Sequence, residues 1–270
     1  MTLAAAKIAA VQMVSAPELA PNLQAAERLI AAAARGGARL VALPENFYLI
    51  GRHEADKVKL AEPDGKGPIQ EFLSSVSRQF KVWLVGGTAP LSTQDPRRIR
   101  GACLVFDDIG QRVARYDKMH LFRFDGGAER YDEARTLEPG EKLVACASPF
   151  GRLALSVCYD VRFPELYRAL GEFDAMFVPS AFTATTGAAH WETLLRARAI
   201  ENQAYVVAPA QGGVHASGRR THGHTMIVDP WGEVLGSKPE GEGLVIAEMD
   251  PQRIREVRAS LPALSNRRLN

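Results

Sequence analysis

Cys158 closes the apolar run Leu153 to Val157 and opens the segment Tyr159-Asp160-Val161-Arg162-Phe163-Pro164-Glu165. The run has the length and content of a short buried strand. Pro164 and Glu165 suit the first turn of a helix, where proline is tolerated and an acid complements the macrodipole. A thiol on the bend between such a strand and helix is held rigidly and still faces a ligand, as in a strand–turn–helix nucleophile elbow. Read as packing alone, the same residue is a small apolar core side chain.

An ordinary thiol has a pKa of about 8.5 and is mostly protonated at neutral pH. Nucleophilic work therefore needs a base and donors for the oxyanion it creates. The six histidines, His53, His120, His190, His215, His222 and His224, sit in no recognised cysteine-protease context. Glu45 offers another route. It follows Pro44 at the end of the strand-like stretch Arg39 to Leu43, and a carboxylate withdrawn from water there becomes a better proton acceptor. The alternative for Glu45 is a surface carboxylate or helix cap. Lys118 lies in Tyr116-Asp117-Lys118-Met119-His120-Leu121-Phe122. Turned inward near Cys158, its ammonium favours the thiolate and steadies a tetrahedral oxyanion. Turned outward, it is a snorkelling surface lysine.

These residues are far apart in sequence, so the elements around them must bring them together. Lys7 to Met13 reads as a strand, and Pro21 to Ala34 as a helix with Asn22 as its cap and Gly36-Gly37 as its stop. Arg39 to Leu43 and Val82 to Gly86 read as strands, Ile69 to Phe80 as a helix, and Gly51 to Gly67 as a surface loop. Gly101 to Tyr116 forms a hairpin about Asp108-Ile109-Gly110. The order then recurs: strand Arg152 to Cys158, helix Pro164 to Gly171, strand Asp174 to Phe182, helix Trp191 to Gln203, strand Ala204 to Ala208, and a hairpin about Pro230-Trp231-Gly232. Two similar α/β halves can share one interior if their sheets face each other. Ligands in open α/β sheets bind at the carboxyl ends of strands, so a pseudo-twofold pairing lets Glu45 and Cys158 converge.

The totals fit this picture. With 270 residues, 46% hydrophobic and 24% charged, the chain is near the upper limit of a single core, about 250–300 residues. The expectation is one domain over 1–270, or two intimately packed halves. A net charge of +2 provides no field for nucleic acid. No stretch approaches the ~20 apolar residues of a membrane span. Met1 to Ala10 lacks the pattern of a signal peptide. Cys103, Cys146 and Cys158 are too few and scattered for a disulfide framework or zinc site, and His215, His222 and His224 lack a zinc site's paired helical spacing. Free thiols fit a reducing compartment, and the expected location is cytoplasmic.

Pro44-Glu45-Asn46, Lys118-Met119-His120-Leu121-Phe122 and Cys158-Tyr159-Asp160-Val161-Arg162-Phe163-Pro164-Glu165 resemble, in order, the three motifs of the nitrilase superfamily of carbon–nitrogen hydrolases. The match spans essentially the whole chain. The resemblance implies a four-layer αββα sandwich and a catalytic triad, with Glu45 as base, Lys118 as stabiliser of the oxyanion and Cys158 as nucleophile. It further implies the Tyr159 amide N–H as an oxyanion donor and a second glutamate, Glu133, with Glu129 the alternative. Thiolate attack on an amide would release an amine, and water would hydrolyse the thioester, without metal or cofactor. The candidate pocket wall comprises Phe47, Phe122, Arg162, Ser180, Phe182, His190 and Trp191, the last two at a helix start.

Pro179-Ser180-Ala181-Phe182, Thr186-Gly187 and His190-Trp191-Glu192 resemble the branches that act on small ω-amides, and Gln211-Gly212-Gly213-Val214-His215, Gly223-His224 and Val228-Asp229-Pro230-Trp231-Gly232 resemble the branch that acts on an anionic glutathione derivative. The substrate this implies is deaminated glutathione, cleaved to 2-oxoglutarate and cysteinylglycine. The alternatives are ω-amidase action on 2-oxoglutaramate or 2-oxosuccinamate, or another aliphatic amidase, nitrilase or N-carbamoyl hydrolase. An anionic substrate needs fixed cations, for which Arg123, Arg130, Arg219 and Arg220 are candidates. The mixed charges of Arg196 to Glu201 suit a solvated or interface face. The resemblance also implies a homodimer or larger homo-oligomer, paired through helices after the cysteine and the tail at about 260–270.

Overall fold

The computed structural model describes residues 4–127 and 129–269. In chain order the first half holds β1 (Ala6–Gln12), α1 (Leu19–Arg35), β2 (Leu40–Ala42), a 3-10 helix (Glu54–Leu60), α2 (Pro68–Phe80), β3 (Trp83–Val85), β4 (Ala89–Ser92), β5 (Ile99–Phe106) and β6 (Arg112–Asp117). The small hairpin β7 (Arg123–Asp125) and β8 (Arg130–Asp132) leads to a 3-10 turn at Glu133–Arg135. The second half holds β9 (Ala145–Ser148), β10 (Gly151–Leu155), a 3-10 turn (Cys158–Arg162), α3 (Pro164–Ala169), β11 (Ala175–Phe177), α4 (Ala184–Asn202) and β12 (Tyr205–Ala208). There follow β13 (Gly212–Val214), β14 (Arg220–His222), β15 (Thr225–Val228), β16 (Val234–Lys238), β17 (Gly243–Met249) and α5 (Pro251–Ser260).

The two main sheets, of seven and six strands, share one plan. In one, β1, β2 and β3 run parallel with Ile8, Leu40 and Trp83 in register, and antiparallel β17 flanks β1 while antiparallel β5 flanks β3. In the other, β10, β11 and β12 run parallel with Leu153, Ala175 and Tyr205 in register, between antiparallel β9 and β15. Strand β6 follows β5 as β16 follows β15.

Alternation along the strands makes the layers. Ile8, Ala10, Leu40 and Ala42 join Leu155, Phe177 and Val207 in the apolar cluster between the sheets. Their neighbours Ala9, Val11, Val41 and Leu43 pack with Ala26, Ile30 and Leu73 of α1 and α2. The second sheet carries α3 and α4 in the same way through Tyr167, Trp191 and Leu195. Both faces of each sheet are covered, which explains why the parallel strands read as continuous apolar runs. The result is the expected αββα sandwich.

Several local expectations need correction. Asn22 does not cap α1, which begins at Leu19 behind Glu18. It is buried in the first turn, where its amide bonds the Ala16 N–H and the carbonyls of Ala16, Glu18 and Tyr48. The stretch 51–67 is not all loop, because Glu54–Leu60 is helical. His190 and Trp191 do not start α4. The helix begins at Ala184, where the Thr183 hydroxyl accepts the Thr186 N–H at 3.2 Å. Arg198 is not on a solvated face. It is buried, its Nε donates to the Val161 carbonyl at 2.9 Å, and it pairs with Glu201 at 2.8 Å.

Candidate active site

The carboxyl ends of the two sheets meet. Met13, just past β1, bridges Gln211, just past β12, and its N–H donates to the Ala210 carbonyl at 3.3 Å. The buried Gln211 amide then donates to the Glu45 carbonyl at 3.1 Å and to the Ser15 hydroxyl at 2.8 Å. Glu45 thus sits where one half grips the other. Its neighbour Asn46 has φ 55° and donates its N–H to the Thr88 hydroxyl at 2.9 Å. Gly87, with φ 59°, lies so near that a Cβ would strike the Pro44 carbonyl, so only glycine serves there.

Lys118 follows β6, its N–H donating to Gly101 and its carbonyl accepting from Gly140 at 2.8 Å. A Cβ on Gly140 would collide with the Asp117 carbonyl. The lysine is 1% exposed and Glu45 4%. The Lys118 Nζ lies 2.8 Å from Glu45 Oε1 and 2.7 and 3.0 Å from the two Glu133 oxygens. Glu133 Oε2 also accepts the Phe122 N–H at 2.7 Å. Burial opposes the ammonium, yet the Glu133 and Glu45 charges outweigh it and hold the Lys118 pKa well above the ordinary lysine value. Burial likewise opposes the charge of Glu133, but Lys118, Lys57 and the hydrogen bonds lower its pKa. A buried cation held by two carboxylates is a fixed charge, not a proton donor.

Cys158 lies past β10, the first residue of a 3-10 turn, with its N–H donating to the Pro179 carbonyl at 2.9 Å. Its φ is 50°, uncommon outside glycine and a mark of a constrained site. The buried Asp160 carboxylate organises the turn, as its Oδ2 accepts the Val157 N–H at 2.8 Å and the Tyr116 hydroxyl at 2.7 Å. Its Oδ1 accepts the His120 N–H at 3.0 Å. Burial and then the Glu45 charge push the Cys158 thiol well above its ordinary pKa, although Lys118 pulls the other way. The expected thiolate-favouring influence of Lys118 is present but does not prevail.

Glu45, Glu133 and Cys158 line one narrow cavity with Phe122, Tyr159 and Phe182. The other pocket candidates lie outside its wall. Phe47 is buried against Tyr48 and Phe72. Ser180 is buried and donates its hydroxyl to the Val178 carbonyl. Trp191 stands behind Phe182 at 4.7 Å, its indole N–H on the His224 carbonyl. Arg162 covers the Tyr159 and Phe182 rings and approaches the exposed His190 at 3.3 Å. Of the four arginines, only Arg219 reaches the wall, whereas Arg123, Arg130 and Arg220 are exposed. Arg219 donates to the Ala181 carbonyl at 3.2 Å, lies 3.4 Å from Glu54 and faces the Tyr131 ring. Its buried Nε finds no partner among the described residues. Glu129 instead meets the Thr185 hydroxyl at 3.2 Å.

Asp160, Gln211 and Thr183 do not stand out as site residues in sequence. Asp160 lies inside the cysteine motif, a hint of its role, but the partners of Gln211 and the Thr183 wall arise only from the meeting of the halves. Among the described residues, no three His, Cys, Asp or Glu side chains form a metal-binding group.

The cavity brings the Glu45 carboxylate and the Cys158 sulfur to one wall, with the Lys118 ammonium bonded to that carboxylate. Residues 7–259 match the family profile described as carbon–nitrogen hydrolase, and the chain belongs to that family. It is 46% identical over 268 residues to a deaminated glutathione amidase of Synechocystis, covering 96% of this chain and 97% of that one. Its fold superposes on the crystal structure of C. elegans NitFhit with a TM-score of 0.91 at 39% identity, covering 99% of this chain and 66% of that one. For Saccharomyces cerevisiae Nit3, a member of branch 10 of the nitrilase superfamily, the values are 0.87 and 33%, covering 98% of this chain and 97% of that one. Among the described residues no helix is long and apolar enough to cross a membrane.

Proposed function

We propose that this protein hydrolyses the amide of deaminated glutathione to 2-oxoglutarate and cysteinylglycine. The observation that carries the reading is the Lys118 ammonium held between Glu45 and Glu133, the two carboxylates that line the cavity with Cys158. Glu45 takes the thiol proton as the sulfur attacks the amide carbon. Lys118 and the Tyr159 N–H, in the first turn where backbone donors lack helical acceptors, receive the oxyanion. The protonated Glu45 passes its proton to the departing amine. It then draws a proton from water, which attacks the thioester and frees the acid and the thiol. Glu133 keeps the ammonium aimed. Arg219, with an unsatisfied buried Nε, is the cation that faces the acyl group's carboxylate.

The name borne by the Synechocystis relative supports this substrate over ω-amides with ammonia as leaving group. Rates on deaminated glutathione and on 2-oxoglutaramate decide between them. We expect the higher kcat/KM on the former, and parity or reversal overturns the choice. A homodimer and a cytoplasmic setting belong to the same reading. Ile200 and Trp231, both about half exposed, flank Gly232 on one surface, and three free cysteines suit a reducing compartment. Light scattering on the purified chain tests the assembly, and a monomeric mass removes it.

A further inference from the structure

We propose that a second hollow, outside the catalytic cavity, binds the leaving amine and selects amines that carry a carboxylate, as a dipeptide does. The assignment rests on the amidase reading above. This outer hollow, of about 280 Å³, shares Arg219 with the inner one. Two other chain segments also contribute to both. Glu45 faces inward and Asn46 outward, and Glu133 faces inward while Tyr131 faces outward. The two spaces therefore share one wall. A primary amide releases only ammonia, which needs no room. An N-substituted amide with its carbonyl at Cys158 must place its amine next door, and this is the adjoining space.

The charges there select the amine. Lys57 and Arg219 are both engaged with Glu54, at 2.8 and 3.4 Å. Arg52 also lines the hollow, is exposed, and forms no ion pair among the described residues. An incoming carboxylate meets this guanidinium without breaking an existing pair, and its planar fork matches a carboxylate in two bonds. Leu49 and Ile50, both buried, supply an apolar wall for the side chain of the amine.

Three substrates with the same 2-oxoglutaryl group test this on the full chain: the primary amide, the cysteinylglycine amide and its cysteinylglycinamide counterpart, in which the terminal carboxylate is neutral. In the natural chain, KM for the cysteinylglycine compound should be about 10-fold below that for the glycinamide. In Arg52→Gln the two should come within about 2-fold. Equal KM values in the natural chain overturn the selection, and discrimination that survives Arg52→Gln overturns the assignment to Arg52. Turnover of the primary amide without either dipeptidyl amide overturns the outer site and leaves amidase chemistry standing. No turnover of any of the three removes the amidase reading and this site with it.

Discussion

His120 Nδ1 lies 2.7 Å from Asp160 Oδ1, and the His120 N–H donates to the same oxygen at 3.0 Å. The other Asp160 oxygen holds Val157, one residue before the nucleophile. One buried carboxylate therefore ties the turn after Lys118 to the turn before Cys158. Asp160→Asn replaces one acceptor oxygen by a donor that faces donors. It should cost about 3 kcal/mol of stability and lower kcat while leaving KM nearly unchanged, as expected when aim rather than affinity is lost. Chemical denaturation and steady-state kinetics measure both, and an unchanged kcat removes the positioning role.

The raised Cys158 pKa predicts a thiol that ionises only when substrate is present. Its thiolate absorbance should be absent at pH 8.5, about where an ordinary cysteine is half ionised, with Cys158→Ala as the blank. Acid quench during turnover should trap an acyl adduct on Cys158. A thiolate half formed at neutral pH, or turnover by Cys158→Ala, contradicts the mechanism.

Glu45 and Glu133 share one ammonium but predict different failures. Glu45→Gln removes the base, and kcat should fall about 10³-fold. Glu133→Gln leaves the base but loosens Lys118, and a fall of about 10²-fold is expected. Glu133 also leaves a mark on the pH dependence of stability. A lowered Glu133 pKa means stability that is present above the ordinary glutamate value, about 4.3, and lost as pH falls through the lower folded value. Glu133→Gln should therefore weaken the dependence of Tm on pH in that acid window. An unaltered acid slope shows that the ammonium does not grip Glu133.

His222 predicts a separate, milder acid response. Burial, and then His224 stacked at 4.1 Å, push its pKa down to about 4. The unfolded chain then takes up a proton near the ordinary value of about 6.5, so this site loses stability as pH falls from there to about 4 and no further below it. Replacing His222 by Gln should reduce the fall in Tm between pH 7 and pH 5. An equal fall in both proteins rejects the assignment.

The strands buried on both faces and the helices buried on one were legible in the sequence. Leu40 to Ala42 and Ala175 to Phe177 announced themselves by unbroken apolar content, and the end of α1 by Gly37, whose φ of 87° suits glycine. Glu45, Lys118 and Cys158 were each ambiguous, and became a set only through the order of three motifs. Legibility ended where a residue's role depends on a distant partner. Asn22 looked like a cap because its loop bonds to Tyr48 were invisible. Phe47 and Ser180 pointed to the pocket by neighbourhood, while the chain beyond each strand turns both into packed interior. Arg198 seemed solvated until α4 was laid over the cysteine turn. The inward turn of Arg219, and its separation from Arg220, come from the β13–β14 ribbon, whose register no local pattern fixes.

Strand β17, drawn from late in the chain, pairs along the whole of β1, Ala6 with Met249 through Gln12 with Gly243. The first sheet is thus finished by a strand that is made only after every strand of the second. Until then a seven-residue edge of β1 carries open amides and carbonyls, the kind of template that recruits another chain. Synthesis that stalls before Gly243 should give a product that clumps even though most of the site has been made.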